Sequence, residues 1–469
     1  MRIEQLYTGC LAQGAYYLES DGDVAIIDPL REVDTYLKMA KSQNAKIKYI
    51  FETHFHADFV SGHVTLSQKT GAPIVYGPNA NPEFECTVAA DNQEFKLGKV
   101  KIRVLHTPGH TMESSSFLLL DENGSEHAIF TGDTLFLGDV GRPDLAQKAS
   151  EITVEQLAKT LYDSLRTKIM TLPDNTIVYP GHGAGSACGK KMSKETTGTV
   201  GNQKQNNYAL RADMTKAEFV QEVTDGLLAP PAYFPLNVML NKRGYEDIDV
   251  VLQRGKVGMS PSGFEEAANN TGAIILDVRH QDEFTKTHIP KSIFIGVEGG
   301  FAPWVGAMLE DVNQPILLVC GNDKLKEVIT RLARVGFDQV LGYLEGGVEA
   351  WKKSDRDVDS IESISAQDFS KLAVDLSLTV YDVRKESEFQ SQHVIGAINT
   401  SLVDINNYLD NFQNTTNNYI HCAGGYRSVI AESILKSRGI HNFVNVLGGF
   451  DSIKKTNTKV SNYVCPSEL

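Results

Sequence analysis

The sequence predicts a multidomain chain of the α/β and α+β classes, and three observations predict it. Its 469 residues exceed the roughly 100–200 residues of a typical domain. Its first half alternates short β-branched runs with loops rich in Gly, Asp and His, and its second half contains one domain-sized unit twice. The expected domains are 1–245, 256–355 and 360–469.

In the first half VAIIDP (24–29), IKYIFETH (47–54), PIVYGP (73–78), VKIRVLHTPGH (100–110), HAIFTGD (127–133) and NTIVYPGH (175–182) read as strands. Four of them end in a polar loop carrying His or Asp, which gathers those side chains along one edge of a sheet. Helical patterns fall between the strands, as in TVEQLAKTLYDSL (153–165), and Thr215 with Glu218 forms a helix-opening capping box. The proline-broken LLAPPAYFP (227–235) reads as the edge of the first domain.

In the second half Asp277, Arg279, Glu283, Phe284 and His288 recur at a constant offset as Asp382, Arg384, Glu388, Phe389 and His393. LLVC ending at Cys320 answers YIHC ending at Cys422. Each copy alternates strand and helix, so each is expected to be a small α/β domain with a mainly parallel sheet. A unit of whole-domain size that occurs twice is not a solenoid.

Bulk properties exclude several functions. The formal charge of −14 argues against nucleic acid, which needs a basic surface. No run of about 18 apolar residues suggests a membrane span, and the first residues lack the pattern of a secretory signal. Six scattered cysteines without C-x-x-C spacing fit a reducing compartment, so a cytoplasmic location is expected.

The chemistry of the first half lies in THFHADFVSGH (53–63). His54, His56 and Asp58 have the spacing of a dinuclear H-x-H-x-D-H loop, but the sixth position is Phe59, and a phenyl ring has no lone pair to donate. His110, Asp133 and His182 follow later strands, and together they predict a metal site. This set resembles the metallo-β-lactamase superfamily across the first half, implying an αββα sandwich. HADFVSGH, HTPGHT, LGDVGRPDL (137–145), GHGAGSACGK (181–190) and GNQKQNN (201–207) resemble the persulfide dioxygenases, in the bacterial form fused to rhodanese domains. That resemblance implies one Fe(2+) held by His54, His110 and Asp133, with no organic cofactor. Two imidazoles and a carboxylate leave open positions for substrate and O₂.

Other residues keep two readings. His56 and His182 either support iron-bound ligands through hydrogen bonds or remain as vestiges of a two-metal ancestor, and Asp58 stays near the site. Arg142 either pairs with a carboxylate of the persulfide carrier or braces its loop through Asp144. Cys188 is either a thiol able to hold sulfane sulfur or a small buried hydrophobe, the second reading being favoured.

In CAGGYRS, Cys422 stands between a strand and a helix. The glycines let backbone N–H groups turn inward, while Arg427 and Ser428 open the helix. Such a nest favours an anion or thiolate, and Arg427 offers a planar donor fork. C-x-x-x-x-R-S with DVR and H-V-x-G-A resembles the rhodanese (sulfurtransferase) family, implying Cys422 as nucleophile. The middle copy keeps Cys320 but has Leu325 and Lys326 in place of the Arg and Ser, and Asp323 within the loop. It reads as an inactive spacer or docking domain. The alternative is a persulfide carrier using Lys324 and Lys326.

The resemblances imply oxidation of a low-molecular-weight thiol persulfide by O₂ to sulfite, which Cys422 converts to thiosulfate. The alternatives are a metal-dependent thioester hydrolase and a non-oxidising persulfide carrier. Expected partners are the persulfide, O₂ and sulfite, with a homo-oligomer left open.

Overall fold

The computed structural model describes residues 1–145, 152–227, 229–373, 378–412 and 418–465. The chain forms two compact units, Met1–Val250 with Thr330–Asp338, and Val251–Ile329 with Gln339–Leu469. In the first, Arg31 is fully buried and grips Asp338 through two hydrogen bonds of 2.6 and 2.7 Å.

The first unit contains two six-stranded sheets. In spatial order one runs Arg2–Thr8, Gln13–Ser20, Asp23–Ile27, Lys46–Phe51, Ile74–Tyr76, Thr87–Val88. The other runs Gly198–Thr199, Ile177–Pro180, Glu126–Gly132, Ser115–Leu120, Val100–His106, Glu94–Leu97. Strand alternation sends successive side chains to opposite faces and so assigns the layers. Tyr16 and Leu18 point into a core shared with Phe117, Leu119 and Phe130 of the other sheet. Their neighbours Ala15 and Tyr17 point outward, against Tyr36, Ala40 and Leu66 of helices Asp34–Ser42 and His63–Thr70. Leu118 and Leu120 likewise face Leu161 of helix Val154–Ser164 and Phe219 of helix Lys216–Thr224. The order is helix, sheet, sheet, helix, the sandwich the resemblance implied.

Capping boxes at Thr153 and Thr215 open those last two helices. The proline-broken stretch does not end the unit. It leads into helix Phe234–Arg243, which accepts Pro in its first turn, where the missing N–H has no intrahelical partner to lose. Pro235 is the second residue of this helix, and the first unit continues to Val250.

The second unit contains two five-stranded sheets with parallel pairing throughout. Both follow one spatial order, first, fifth, fourth, second, third. The central strands, Ile316–Val319 and Asn418–His421, deliver Cys320 and Cys422 at their C-terminal ends, where parallel sheets usually place ligand sites. The repeated motif residues hold the domains together. Arg279 and Arg384 donate to Asp277 and Asp382, and to the carbonyls of Thr287 and Gln392. The rings of His288 and His393 stack on Phe284 and Phe389 at 3.9 and 4.0 Å. Among the described residues no helix is long and apolar enough to cross a membrane.

Candidate functional site

His54, His110 and Asp133 each follow the end of a strand, and their ligand atoms lie within 4.8 Å of one another. The Nε2 atoms of His110 and His54 are 3.5 and 3.9 Å from Asp133 Oδ2. Their tautomers follow from their other nitrogens. His110 Nδ1 is 2.8 Å from the Arg142 carbonyl, which only accepts, so Nδ1 carries the proton. His54 Nδ1 faces Thr53 Oγ1 at 3.0 Å, whose own hydrogen goes to Asp28 Oδ2, so His54 also donates from Nδ1. Both Nε2 atoms therefore face Asp133. Burial, then the charges of His56, His110 and His182, hold His54 well below the usual imidazole range.

Both Asp133 oxygens are buried and accept no hydrogen bond, as are both Asp58 oxygens and both His182 nitrogens. Leaving a buried carboxylate without a partner is costly. A divalent cation would satisfy these atoms, so the donor set fits a metal. His182 Nε2 is 3.4 Å from Asp58 Oδ2 and 3.5 Å from Asp133 Oδ1. Gly181 makes this approach possible, since a Cβ there would stand 2.5 Å from Asp133 Oδ1.

Phe59 is fully buried, and its ring packs 4.3 Å from that of His56. His56 Nε2 is directed at Asp28 Oδ1 (3.1 Å) and Glu52 Oε2 (3.4 Å). Burial opposes its charge, but attraction to Asp28 and then to Glu52 prevails and holds it well above its usual value. His56 thus sits between Asp28 and Glu52, and burial raises the Glu52 carboxyl to about 7. The ligand atoms of His56, Asp58 and His182 also gather within 4.8 Å of one another.

His63 opens helix His63–Thr70, and burial drives it down to about 3, so it is neutral. Asn241 fastens the loop, donating to the carbonyls of His56 and Phe59 at 2.8 and 2.7 Å and accepting from Ser61 N–H at 2.8 Å. Burial, then the Asp58 charge, raise the Tyr233 hydroxyl well above its usual range. Sequence reasoning missed Asp28, Glu52, Tyr233 and Asn241. Only the first two carry a signal, as acids ending strands next to the H-x-H loop.

Arg142 donates from Nε and a terminal nitrogen to Asp144, both at 2.7 Å. Cys188 gathers with Asp133 and His182 within 4.8 Å. Burial, then Asp58 and Asp133, raise its thiol well above the ordinary range and keep it protonated.

At the other cysteine, Gly425 N–H donates to Cys422 Sγ at 3.1 Å and Ser428 Oγ lies 3.6 Å away. Arg427 is not the open donor fork expected of it. Its terminal nitrogens bind Glu388 at 2.6 and 2.8 Å, because Glu388 stands opposite on helix Glu386–Ser391. The guanidinium therefore braces the loop.

These features define a metallohydrolase-type sandwich followed by two sulfurtransferase-type domains. Residues 8–182 match the metallo-beta-lactamase superfamily, and residues 260–354 and 365–456 match the rhodanese-like domain. The crystal structure of a metallo-beta-lactamase from Staphylococcus aureus subsp. aureus COL is 31% identical, with a TM-score of 0.65, covering 73% of this chain and 98% of that one. The chain belongs to the metallo-β-lactamase superfamily and carries two rhodanese-like domains.

It is also similar to the cytoplasmic hydroxyacylglutathione hydrolase of Arabidopsis thaliana, 36% identical over 37% of this chain. The match spans 65% of that relative's length. The structure of ETHE1 from Myxococcus xanthus is 29% identical with a TM-score of 0.44, covering 52% of this chain and 98% of that one.

Proposed function

We propose that the chain is an iron-dependent persulfide dioxygenase joined to a sulfurtransferase, working in the cytoplasm on a low-molecular-weight thiol persulfide. The observation that supports it most is Phe59. Where a second-metal histidine would stand, a ring without a lone pair packs on His56, leaving His54, His110 and Asp133 as a set of two imidazoles and a carboxylate. A ferrous ion held by those three would supply the redox chemistry of a facial-triad oxygenase, with open positions for persulfide and O₂.

The remaining steps belong to the protein. Thr53, with Asp28 behind it, and the Arg142 carbonyl fix the two imidazole tautomers. Asp58 and His182, 3.4 Å apart, are placed to exchange the proton of a bound persulfide or water. Overall, R–S–SH, O₂ and water give R–SH, sulfite and two protons. Cys422 then takes the terminal sulfur of a second persulfide, releasing R–SH, and sulfite removes that sulfur as thiosulfate. Tethering raises the sulfite concentration seen by Cys422.

A metal-dependent thioester hydrolase is the second reading, favoured by the likeness to a hydroxyacylglutathione hydrolase and by the Asp58, His182 and Cys188 donors beside the triad. Metal analysis with a thioester assay separates the two. One iron per chain, lost in H54A and H110A, with negligible thioester cleavage, supports the dioxygenase. Two zinc ions per chain with thioester cleavage would replace it by the hydrolase.

A further inference from the structure

The middle repeat keeps its fold while its cysteine loop lacks the arginine, and Tyr426 links it to the loop that has one. Tyr426 begins helix Tyr426–Ser437 directly after Gly425, the residue whose N–H reaches Cys422 Sγ at 3.1 Å. Its side chain leaves its own repeat. The hydroxyl donates to the Gly296 carbonyl at 2.8 Å, and the ring meets Phe294 edge-on at 5.7 Å. The slot at 296–299 is shaped for it, since a Cβ on Gly299 would stand 2.5 Å from the tyrosine ring.

The same side of the helix continues the attachment. Phe294 N–H donates to Ser433 Oγ at 3.0 Å, and Lys436 reaches the connecting residues Asp359 at 2.9 Å and the Ser360 carbonyl at 2.8 Å, where Asp359 is bridged through the backbone to His288 of the middle repeat. Gln281, Asp282 and Thr285 of the middle repeat face Gly424 and Gly425 across a crevice of about 40 Å³. The counterpart of Tyr426 in the middle repeat is Lys324, whose ammonium lies 3.4 Å from Glu327 of its own helix.

We propose that the middle repeat is the socket that sets the Cys422 loop, with Tyr426 as positioning residue and the glycine slot at 296–299 as its seat. This rests on Cys422 being the sulfur-transfer cysteine. Seating the ring fixes the adjoining peptide, so the Gly425 N–H stays aimed at sulfur. With the ring unseated, the helix start drifts and the Cys422 sulfur loses its donor, without any change at the metal residues.

The test uses full-length iron-loaded protein carrying Y426F, which removes only the hydroxyl, or G299A, which fills the slot. Sulfur transfer from glutathione persulfide to added sulfite, measured without O₂, is expected to fall about tenfold in kcat for Y426F and further for G299A, with KM for sulfite little changed. The pH profile of Cys422 alkylation is expected to move upward in both, and O₂ uptake to stay at the wild-type level. Wild-type transfer and an unmoved pH profile in both variants would overturn the proposal. So would a lowered melting temperature with the pH profile in place, the mark of a merely structural residue. If C422S itself transfers sulfur normally, the assignment of Cys422 fails rather than the socket.

Discussion

Cys320 and Cys422 each end the central strand of a five-stranded parallel sheet, and each sheet is braced by the same Asp–Arg pair. Their loops nevertheless build opposite surroundings. Around Cys422, Gly425 N–H and the Ser428 hydroxyl approach the sulfur, and Arg427 cancels the charge of Glu388. Around Cys320, Asp323 replaces that glycine and Leu325 the arginine, so Glu283, the counterpart of Glu388, keeps only the shared helix-capping contact, to His280 N–H at 3.4 Å, and faces no such arginine. Cys320 lines a cavity of about 640 Å³ whose walls set Glu283, Glu298, Asp323 and Glu349 against Arg279 and Lys324. This excess of acids disfavours a thiolate. A few loop residues decide the chemistry, while the repeated DVR and Phe–His elements preserve the fold in both copies.

The largest test of this contrast removes each sulfur in turn. C422S is expected to lower sulfur transfer about a thousandfold or more, as loss of a covalent nucleophile does, and C320S to change it less than about twofold. A C320S enzyme as inactive as C422S would break the comparison and restore the carrier reading of the middle copy.

Next in size, R427L imports the middle copy's residue into the active loop and leaves Glu388 unpaired. Transfer is expected to fall about tenfold, in line with losing one partner of a part-buried charge pair beside the sulfur. E283Q in the middle copy is expected to change nothing, and steady-state transfer assays check both.

The pH dependence sharpens the difference. Burial, then Asp277 and Asp323, push the Cys320 thiol up to about 12. Its alkylation by iodoacetamide is therefore expected to be very slow at pH 8 and to rise tenfold per pH unit toward that value. D323N removes one cause and is expected to speed the reaction. A raised thiol value means the folded state holds its proton more tightly. The resulting stability is present below the unfolded value of about 8.5 and is lost as pH rises toward about 12. Urea midpoints of wild type and C320S at pH 7 and pH 10 measure it, and the wild type is expected to weaken more. The smallest effect is a graft. N322G, D323G, L325R and K326S in a C422S background are expected to give Cys320 less than about a tenth of normal transfer, because position 324 lacks the seated tyrosine.

Much of this was legible in the sequence. The strand-end histidines and aspartates, the duplication and the altered middle loop are local patterns, and the structure brings His54, His110 and Asp133 together in one buried set. What escaped depends on residues far apart in the chain. Asn241 returns to the metal loop from about 180 positions away, on a helix hidden behind prolines that read as a domain edge. Glu52 and Asp28 close on His56 only once parallel strands lie side by side. Arg427 looked open to an anion because its partner is 39 positions upstream, although a Glu kept in both copies was the available hint.

The claim that the first domain performs oxygen chemistry, and not hydrolysis, is tested most directly with an oxygen electrode. Iron-loaded wild type and C422S are given glutathione persulfide and the sulfur products quantified. Both are expected to consume one O₂ per persulfide oxidised, the wild type releasing thiosulfate and C422S sulfite. No O₂ uptake by the iron-loaded wild type, or uptake that vanishes in C422S, would contradict the account.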